Sequence, residues 1–213
     1  MSVKIAPSIL AADFTNLEKE IRKVEQAGAD LIHIDVMDGN FVPNITIGPC
    51  VVKDIRKVTR LPLEAHLMIK HPERFIGDFV KAGSDMVTVH IEAISALKIK
   101  SLAKEWRPRG IKLGVSLNPA TPLSRIKGVL SCVDFVLVMT VVPGFSGQKF
   151  MPQVVPKIKK LRSVFRGVIA VDGGINDTVA RDLIRAGADI LAAASFIFGS
   201  ADYKEAIERL KNA

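Results

Sequence analysis

Four acidic and imidazole side chains stand at the ends of apolar runs, where a charged group needs a reason to be. In LIHIDVMDGNFVPN, His33 and Asp35 break a run made of Leu31, Ile32, Ile34 and Val36. A carboxylate buried without a partner is costly enough that it takes up a proton instead. Strand side chains alternate faces, so His33, Asp35 and Met37 share one side. LEAHLMI puts Glu64, His66 and Met68 on one side, and VIAVDGG ends in Asp172. If these strands are neighbours in one sheet, His33, Asp35, His66 and Asp172 can meet at one point. Two neutral imidazoles and two carboxylates balance one divalent cation per chain, whether zinc, iron(II), manganese or cobalt. Such an ion would keep both aspartates ionised. The HxD pair taken alone reads equally well as a hydrogen-bonded pair at a strand end. The second histidine and the third strand-end acid favour the metal.

Lesser candidates surround these four. Glu64 lies deeper than His66 and reads either as a carboxylate orienting a histidine or as a buried hydrogen-bonded layer residue. His90, at the end of another apolar run, and His71, in a loop, read as structural or exposed rather than as ligands. Asp38 with Gly39 suits a turn. Met37, Met68 and Met139 suit core filling or, being near strand ends, an adaptable apolar cap over a ligand. PGFSGQ (143–148), DGGIN (172–176) and AASFIFG (193–199) are small-residue segments through which backbone can approach an anion. The first also has the composition of a mobile lid.

What must position these groups is read from a repeated punctuation. QAGADLIHID, KAGSDMVTVHIE and RAGADILAAAS each run from a charged helical segment through Ala-Gly to an acidic residue and an apolar strand; SCVDFVLVMT is a degenerate fourth copy. Filling the gaps predicts strands near 3–8, 31–36, 62–68, 85–91, 111–117, 134–141, 168–172 and 189–194. Helical patterns occupy 13–27, 48–58, 72–82, 95–106, 121–130, 152–165, 177–186 and 202–211. Near-continuously apolar strands are the mark of parallel strands covered on both faces. Eight strand–helix units predict an α/β fold, a single (β/α)8 TIM barrel over residues 1–213. A doubly wound open sheet is the alternative, but no GxGxxG follows the first strand. In a barrel the strand-end groups gather on the catalytic rim.

The 213 residues are 48% hydrophobic, enough for one large core, and no Pro/Ser/Gly-rich linker or charge block divides them. The net charge of +8 is spread through segments such as KDIRK, KIKKLR and ERLKN. That reads as solvated helix faces, with attraction of an anionic substrate as a secondary effect. With one Trp, one Tyr and no recognisable motif, there is no aromatic ladder for nucleic acid. Cys50 and Cys132 form no CxxC and read as reduced thiols of a cytoplasmic protein. Pro7 and Asp13 spoil a signal-peptide reading of the N-terminal run, and no uncharged apolar run is long enough to cross a bilayer.

Taken together, APSILAADF (6–14), HIDVMDGNFVPN (33–44), EAHLMI (64–69), GVSLNPATP (114–122), PGFSGQKF (143–150) and VDGGIN (171–176) resemble the ribulose-phosphate 3-epimerase family of ribulose-phosphate-binding barrels nearly end to end. The resemblance implies inversion of carbon 3 between D-ribulose 5-phosphate and D-xylulose 5-phosphate, through a metal-stabilised enediolate in the pentose phosphate pathway. It implies metal ligation by His33, Asp35, His66 and Asp172, with Asp35 and Asp172 as the acid/base pair on opposite faces of the sugar. It implies substrate contacts from Ser8 and His66 and a phosphate held near Gly144, Phe145, Ser146, Gly147, Gly173, Gly174, Ala194 and Ser195. Met37, Met68 and Met139 match its apolar cap, and homo-oligomers, dimers or hexamers, are implied as well. The chain departs from the family pattern at Thr140, Val142 and Ser146, where SVNPGFGGQ is usual, and at Ala194, where the usual run is Ala-Gly-Ser. Those departures touch the lid and phosphate loops, so a hexulose-phosphate 3-epimerase acting on D-allulose 6-phosphate is the nearest alternative. A non-catalytic sugar-phosphate-binding barrel is the alternative of another class.

Overall fold

A computed structural model describes residues 3–213. Eight parallel strands form one sheet: β1 (Lys4–Pro7), β2 (Ile32–Met37), β3 (Leu63–Met68), β4 (Met86–His90), β5 (Lys112–Leu117), β6 (Phe135–Met139), β7 (Val168–Asp172) and β8 (Ile190–Ala193). The strand order β1-β8-β7-β6-β5-β4-β3-β2 runs round a ring, and a parallel bridge between Ser8 and His33 joins its two ends. This is a nearly closed (β/α)8 barrel rather than an open doubly wound sheet. Eight helices surround it: α1 (Leu17–Gln26), α2 (Pro49–Val58), α3 (Ile76–Lys81), α4 (Ala96–Trp106), α5 (Val155–Val164), α6 (Asp177–Ala186), α7 (Ser195–Phe198) and α8 (Tyr203–Lys211).

The repeated acidic residue proves to be a connector between strands. Asp30, Asp85, Asp134 and Asp189 accept the backbone N–H of Ile5, Leu63, Leu113 and Ile169 at 2.9, 2.9, 2.9 and 2.8 Å. Each even-numbered strand thus begins by capping the odd-numbered strand before it. A cation on a neighbouring helical segment neutralises each of these acids: Lys211, Arg56, Arg107 and Arg162 respectively. The degenerate fourth copy, SCVDF, keeps the one residue this geometry uses.

The alternation of side chains sorts the core into two layers. Ile5, Ile34, Val136, Val138, Val171 and Leu191 face the helices in the main core cluster. Ala6, Met86, Phe135, Leu137, Ala170 and Ala192 pack in the barrel interior. Gly114 is what makes room for Phe135: a Cβ there would lie 2.4 Å from the ring. Overpacking of this kind costs roughly 1–3 kcal/mol. Gly114→Ala is therefore expected to lower the urea midpoint by an amount equivalent to about 1–3 kcal/mol, with the slope unchanged.

Four helical expectations need correction. The segment 121–130 is not a helix; it holds a 3-10 turn, Leu123–Arg125, and a chain of i→i+3 bonds. Pro122 is extended, Gly128 breaks the helical run, and the side chain of Thr121 is engaged by Glu92. The expected helices at 13–27, 72–82 and 152–165 each open instead as a 3-10 turn, at Phe14–Asn16, Pro72–Arg74 and Pro152–Val154. The short helix α7 was not expected; the small-residue run before it hides the boundary between β8 and α7.

Candidate metal centre and substrate pocket

The register of β2 against β3 sets Asp35 beside His66, and that of β6 against β7 sets Met139 beside Asp172. One ligand atom each from His33, Asp35, His66 and Asp172 then lies within 4.8 Å of all the others. His33 Nε2 is 3.3 Å from Asp35 Oδ1 and 3.7 Å from Asp172 Oδ2; His66 Nδ1 is 3.2 and 3.8 Å from the same two oxygens. A tetrahedral cage with ligand distances of about 2.0–2.2 Å has edges of roughly 3.3–3.6 Å. The donor set therefore fits a small divalent ion in both spacing and chemistry.

Each donor is held from behind. His33 turns Nδ1 to Glu64 Oε2 at 3.0 Å, and Glu64 Oε1 accepts the hydroxyl of Thr88 at 2.7 Å. Glu64 is thus both buried and hydrogen-bonded, with one oxygen turned to the His33 ring. Asp35 receives the hydroxyl of Ser8 at 2.5 Å on Oδ2, the oxygen turned away from the imidazoles. Asp172 is fixed through its backbone: its carbonyl accepts the N–H of Thr140 at 2.7 Å, and the Thr140 hydroxyl is shared between the carbonyls of Asp172 and Gly173. Where the family pattern has serine, threonine keeps this clamp on the end of β7. His90 is fully buried, meets His66 edge to edge through the two Nε2 atoms at 2.8 Å and stays outside the four-donor set. Asp38 accepts the N–H groups of Asn40, Phe41 and Lys70 and so builds the turn after β2.

Burial and charge pull the four groups apart. Burial drives the Asp35 carboxyl toward its neutral form, but the charge of His33 and hydrogen bonds from both imidazoles hold it well below the usual carboxylate range. Asp172 is raised, first by burial and then by the charge of Asp35. Burial likewise works against a charged His33, yet Asp35 and Glu64 hold it well above the ordinary imidazole value. His66 is pushed down to about 4 by burial and by the neighbouring imidazoles, against the pull of Asp35.

Above the cluster lies a cavity lined by Ser8, Asp35, Asp172 and the methionines Met37, Met68 and Met139. Gly144, Phe145, Ser146, Gly147, Gly173, Gly174, Ala194 and Ser195 complete its wall, while His33 and His66 sit beneath it. The four donors, Ser8, the three methionines and the glycine-rich segments are thus brought to one place, whereas His66, expected to touch the substrate as well as the ion, does not line the cavity, and Val142 is exposed outside it. Gly174 has φ +64°, and a Cβ there would come within 2.6 Å of the Phe150 backbone nitrogen, so the loop after β7 can pack on the lid root only with glycine. The lid itself is braced by Gln148, whose amide donates to the carbonyls of Val142 and Phe145, and is tied to the loop after β2 by Asn44, which donates to the Gly144 carbonyl at 2.8 Å. The bracing by Asn44 and Gln148 went unread in the sequence, because nothing in either loop alone shows that the two meet. A wider groove on the outer ring, beside the non-helical 121–130 segment, gathers apolar residues and lysines but no converging donor set.

Comparisons with known proteins bear on this site and fold. A model described as the ribulose-phosphate 3 epimerase family matches residues 4–198. A ribulose-phosphate 3-epimerase of Bacillus subtilis is 51% identical over 216 residues, covering 98% of each chain. A chloroplastic ribulose-5-phosphate-3-epimerase of Arabidopsis thaliana is 50% identical over 97% of this chain and 75% of its own. Among solved structures, a 3-hexulose-6-phosphate synthase from Salmonella typhimurium superposes with a TM-score of 0.73 at 21% identity, over 100% of this chain and 97% of that one, a likeness of fold alone. Among the described residues, no helix is long and apolar enough to cross a membrane.

Proposed function

Because the chain belongs to the ribulose-phosphate 3-epimerase family, we propose that it interconverts D-ribulose 5-phosphate and D-xylulose 5-phosphate by a two-base inversion at carbon 3. The observation that carries this reading is the pair Asp35 and Asp172, on separate strands, facing one four-donor cluster and one cavity. Asp35, held ionised, is suited to remove the carbon 3 proton from one face. Asp172, on a separate strand, is placed to deliver a proton from the other. Reversal exchanges the two roles, as an epimerase needs in order to run both ways.

His33, Asp35, His66 and Asp172 would hold one divalent ion. When bound, that ion supplies Lewis-acid polarisation of the carbon 2 carbonyl and neutralises the charge of the enediolate. The donor set suits zinc, iron(II), manganese or cobalt alike. The chain's own residues do the rest. Ser8 orients Asp35 by donating to its outer oxygen, leaving Oδ1 toward the cluster. Met37, Met68 and Met139 cover the reacting carbon with apolar surface, keeping water from quenching the intermediate. The phosphate would sit among Gly144, Phe145, Ser146, Gly147, Gly173, Gly174, Ala194 and Ser195, under the lid.

In deuterated water, metal-loaded protein given ribulose 5-phosphate should incorporate deuterium at carbon 3 and accumulate xylulose 5-phosphate. A parallel arm with a hexulose 6-phosphate tests whether Thr140, Val142 and Ala194 shift the preferred sugar length. No deuterium at carbon 3 of either sugar would falsify the epimerase reading and leave a barrel that binds without turnover.

A further inference from the structure

We propose that His90 and Glu92 are positioning residues: through hydrogen bonds alone they fix which ring nitrogen of His66 carries the proton, and so how tightly the four-donor cluster grips a divalent cation. The inference rests on the metal-site reading above and extends it to two residues outside the donor set.

His66 presents Nδ1 to Asp35 and Asp172, at 3.2 and 3.8 Å. To offer a lone pair there, the neutral ring must carry its proton on Nε2. That nitrogen lies 2.8 Å from His90 Nε2. His90 must then accept at Nε2 and hold its own proton on Nδ1, which stands 3.2 Å from Glu92 Oε2. A carboxylate only accepts, so Glu92 enforces this arrangement of both rings. Its other oxygen is occupied by the N–H of Asn118 at 2.9 Å and by the hydroxyl of Thr121. Those two donors are anchored in turn by Lys157 of α5, whose ammonium donates to the carbonyls of Asn118, Pro119 and Thr121 at 3.1, 2.5 and 2.7 Å.

Both imidazoles are fully buried, so the bond between them is shielded from solvent. The rings of His66 and His90 meet edge to edge, inclined by 17° with centroids 5.0 Å apart, and Phe41 lies against His90 at 4.8 Å. The other imidazole is served differently: His33 turns Nδ1 straight to Glu64 at 3.0 Å. The two histidines of the cluster are thus each backed by a carboxylate, one directly and one through a second imidazole.

Glu92→Gln tests this with near-constant shape. The Asn118 N–H requires an acceptor, so the glutamine would turn its NH2 toward His90. His90 would then accept at Nδ1 and donate from Nε2. His66 would be forced to accept at Nε2, putting its proton on Nδ1 toward Asp35, where no ion could be ligated. Full-length protein, stripped with chelator, is titrated with cobalt(II) and followed by absorption, with the melting temperature and the histidine ring nitrogen NMR shifts recorded alongside. Loss of an orienting group behind a ligand typically costs 10–100-fold in metal affinity. Glu92→Gln should show a loss of that size, with His66 moving from the Nε2–H to the Nδ1–H form. His90→Gln, whose amide oxygen can accept from His66 Nε2, should bind cobalt more tightly than His90→Phe, which cannot accept. Equal affinity in wild type and Glu92→Gln, or in the two His90 variants, overturns the proposal. Failure of the wild type itself to bind cobalt would instead overturn the metal-site reading.

Discussion

Asp172→Asn is expected to suppress inversion at carbon 3 by on the order of 10²–10⁴-fold while the barrel stays folded. The residue stands at the last position of β7, and its backbone is clamped by Thr140. An asparagine of the same shape therefore keeps its place and keeps one acceptor oxygen. What it loses is the ability to hold and release a proton. Asp35 retains that ability on its own face. In deuterated water the variant should exchange the carbon 3 proton of one epimer without converting it, and leave the other epimer unlabelled. Proton NMR of the carbon 3 signal, set against a coupled assay for the second epimer, separates exchange from inversion. Metal content measured on the same sample separates loss of the acid from loss of the ion. Inversion within tenfold of wild type, with the ion retained, would show that Asp172 is not one of the two proton carriers.

The parts of this site that were legible in the sequence are those written within a single strand. His33 and Asp35 show as polar breaks in an apolar run, and the period of two places them on one face; Glu64 and His66 repeat the pattern on the next strand. The four-fold spacing of Asp30, Asp85, Asp134 and Asp189 gave away the strand–helix rhythm, because each caps the preceding odd strand and cannot move without breaking the ladder. What was not legible depends on register between strands or on contact between loops. VHIE spells a histidine and an acid two apart, like HID, yet His90 serves His66 rather than an ion. Only the stagger of β3 against β4, which pairs His66 with Thr88, brings His90 behind the cluster. The 121–130 segment misled because its apolar spacing is helical, while Pro122, Gly128 and the bond from Thr121 to Glu92 favour successive tight turns. Ser8 was suggested by the resemblance; its bond to Asp35 follows from the bridge that closes the barrel at Ser8 and His33.

The opposed proton affinities within the cluster lead to a second large effect, on metal binding. Without an ion, Asp35 and Glu64 hold a proton on His33, while burial and the charge of Asp35 hold one on Asp172, raised to about 7. Both groups must give up a proton before His33 Nε2 and the Asp172 carboxylate can act as donors. Asp35, held low, and His66, pushed down to about 4, have none to give near neutrality. The sign follows: protons compete with the ion, so affinity rises with pH. With two protons displaced, affinity should change by up to about 100-fold per pH unit on the acid side of neutrality, flattening as Asp172 and then His33 lose their protons unaided. Calorimetric titration of the stripped protein at pH 6.5, in two buffers of different ionisation enthalpy, should count between one and two protons released per ion. The same linkage reaches stability, since an ion at 100 times its dissociation constant adds about 2.7 kcal/mol to the folded state. A fixed ion concentration should therefore raise the melting temperature far more at pH 8 than at pH 6. Release of no protons, or a melting shift independent of pH, would mean that the ion is held without displacing the protons on His33 and Asp172, and that these are not the donors.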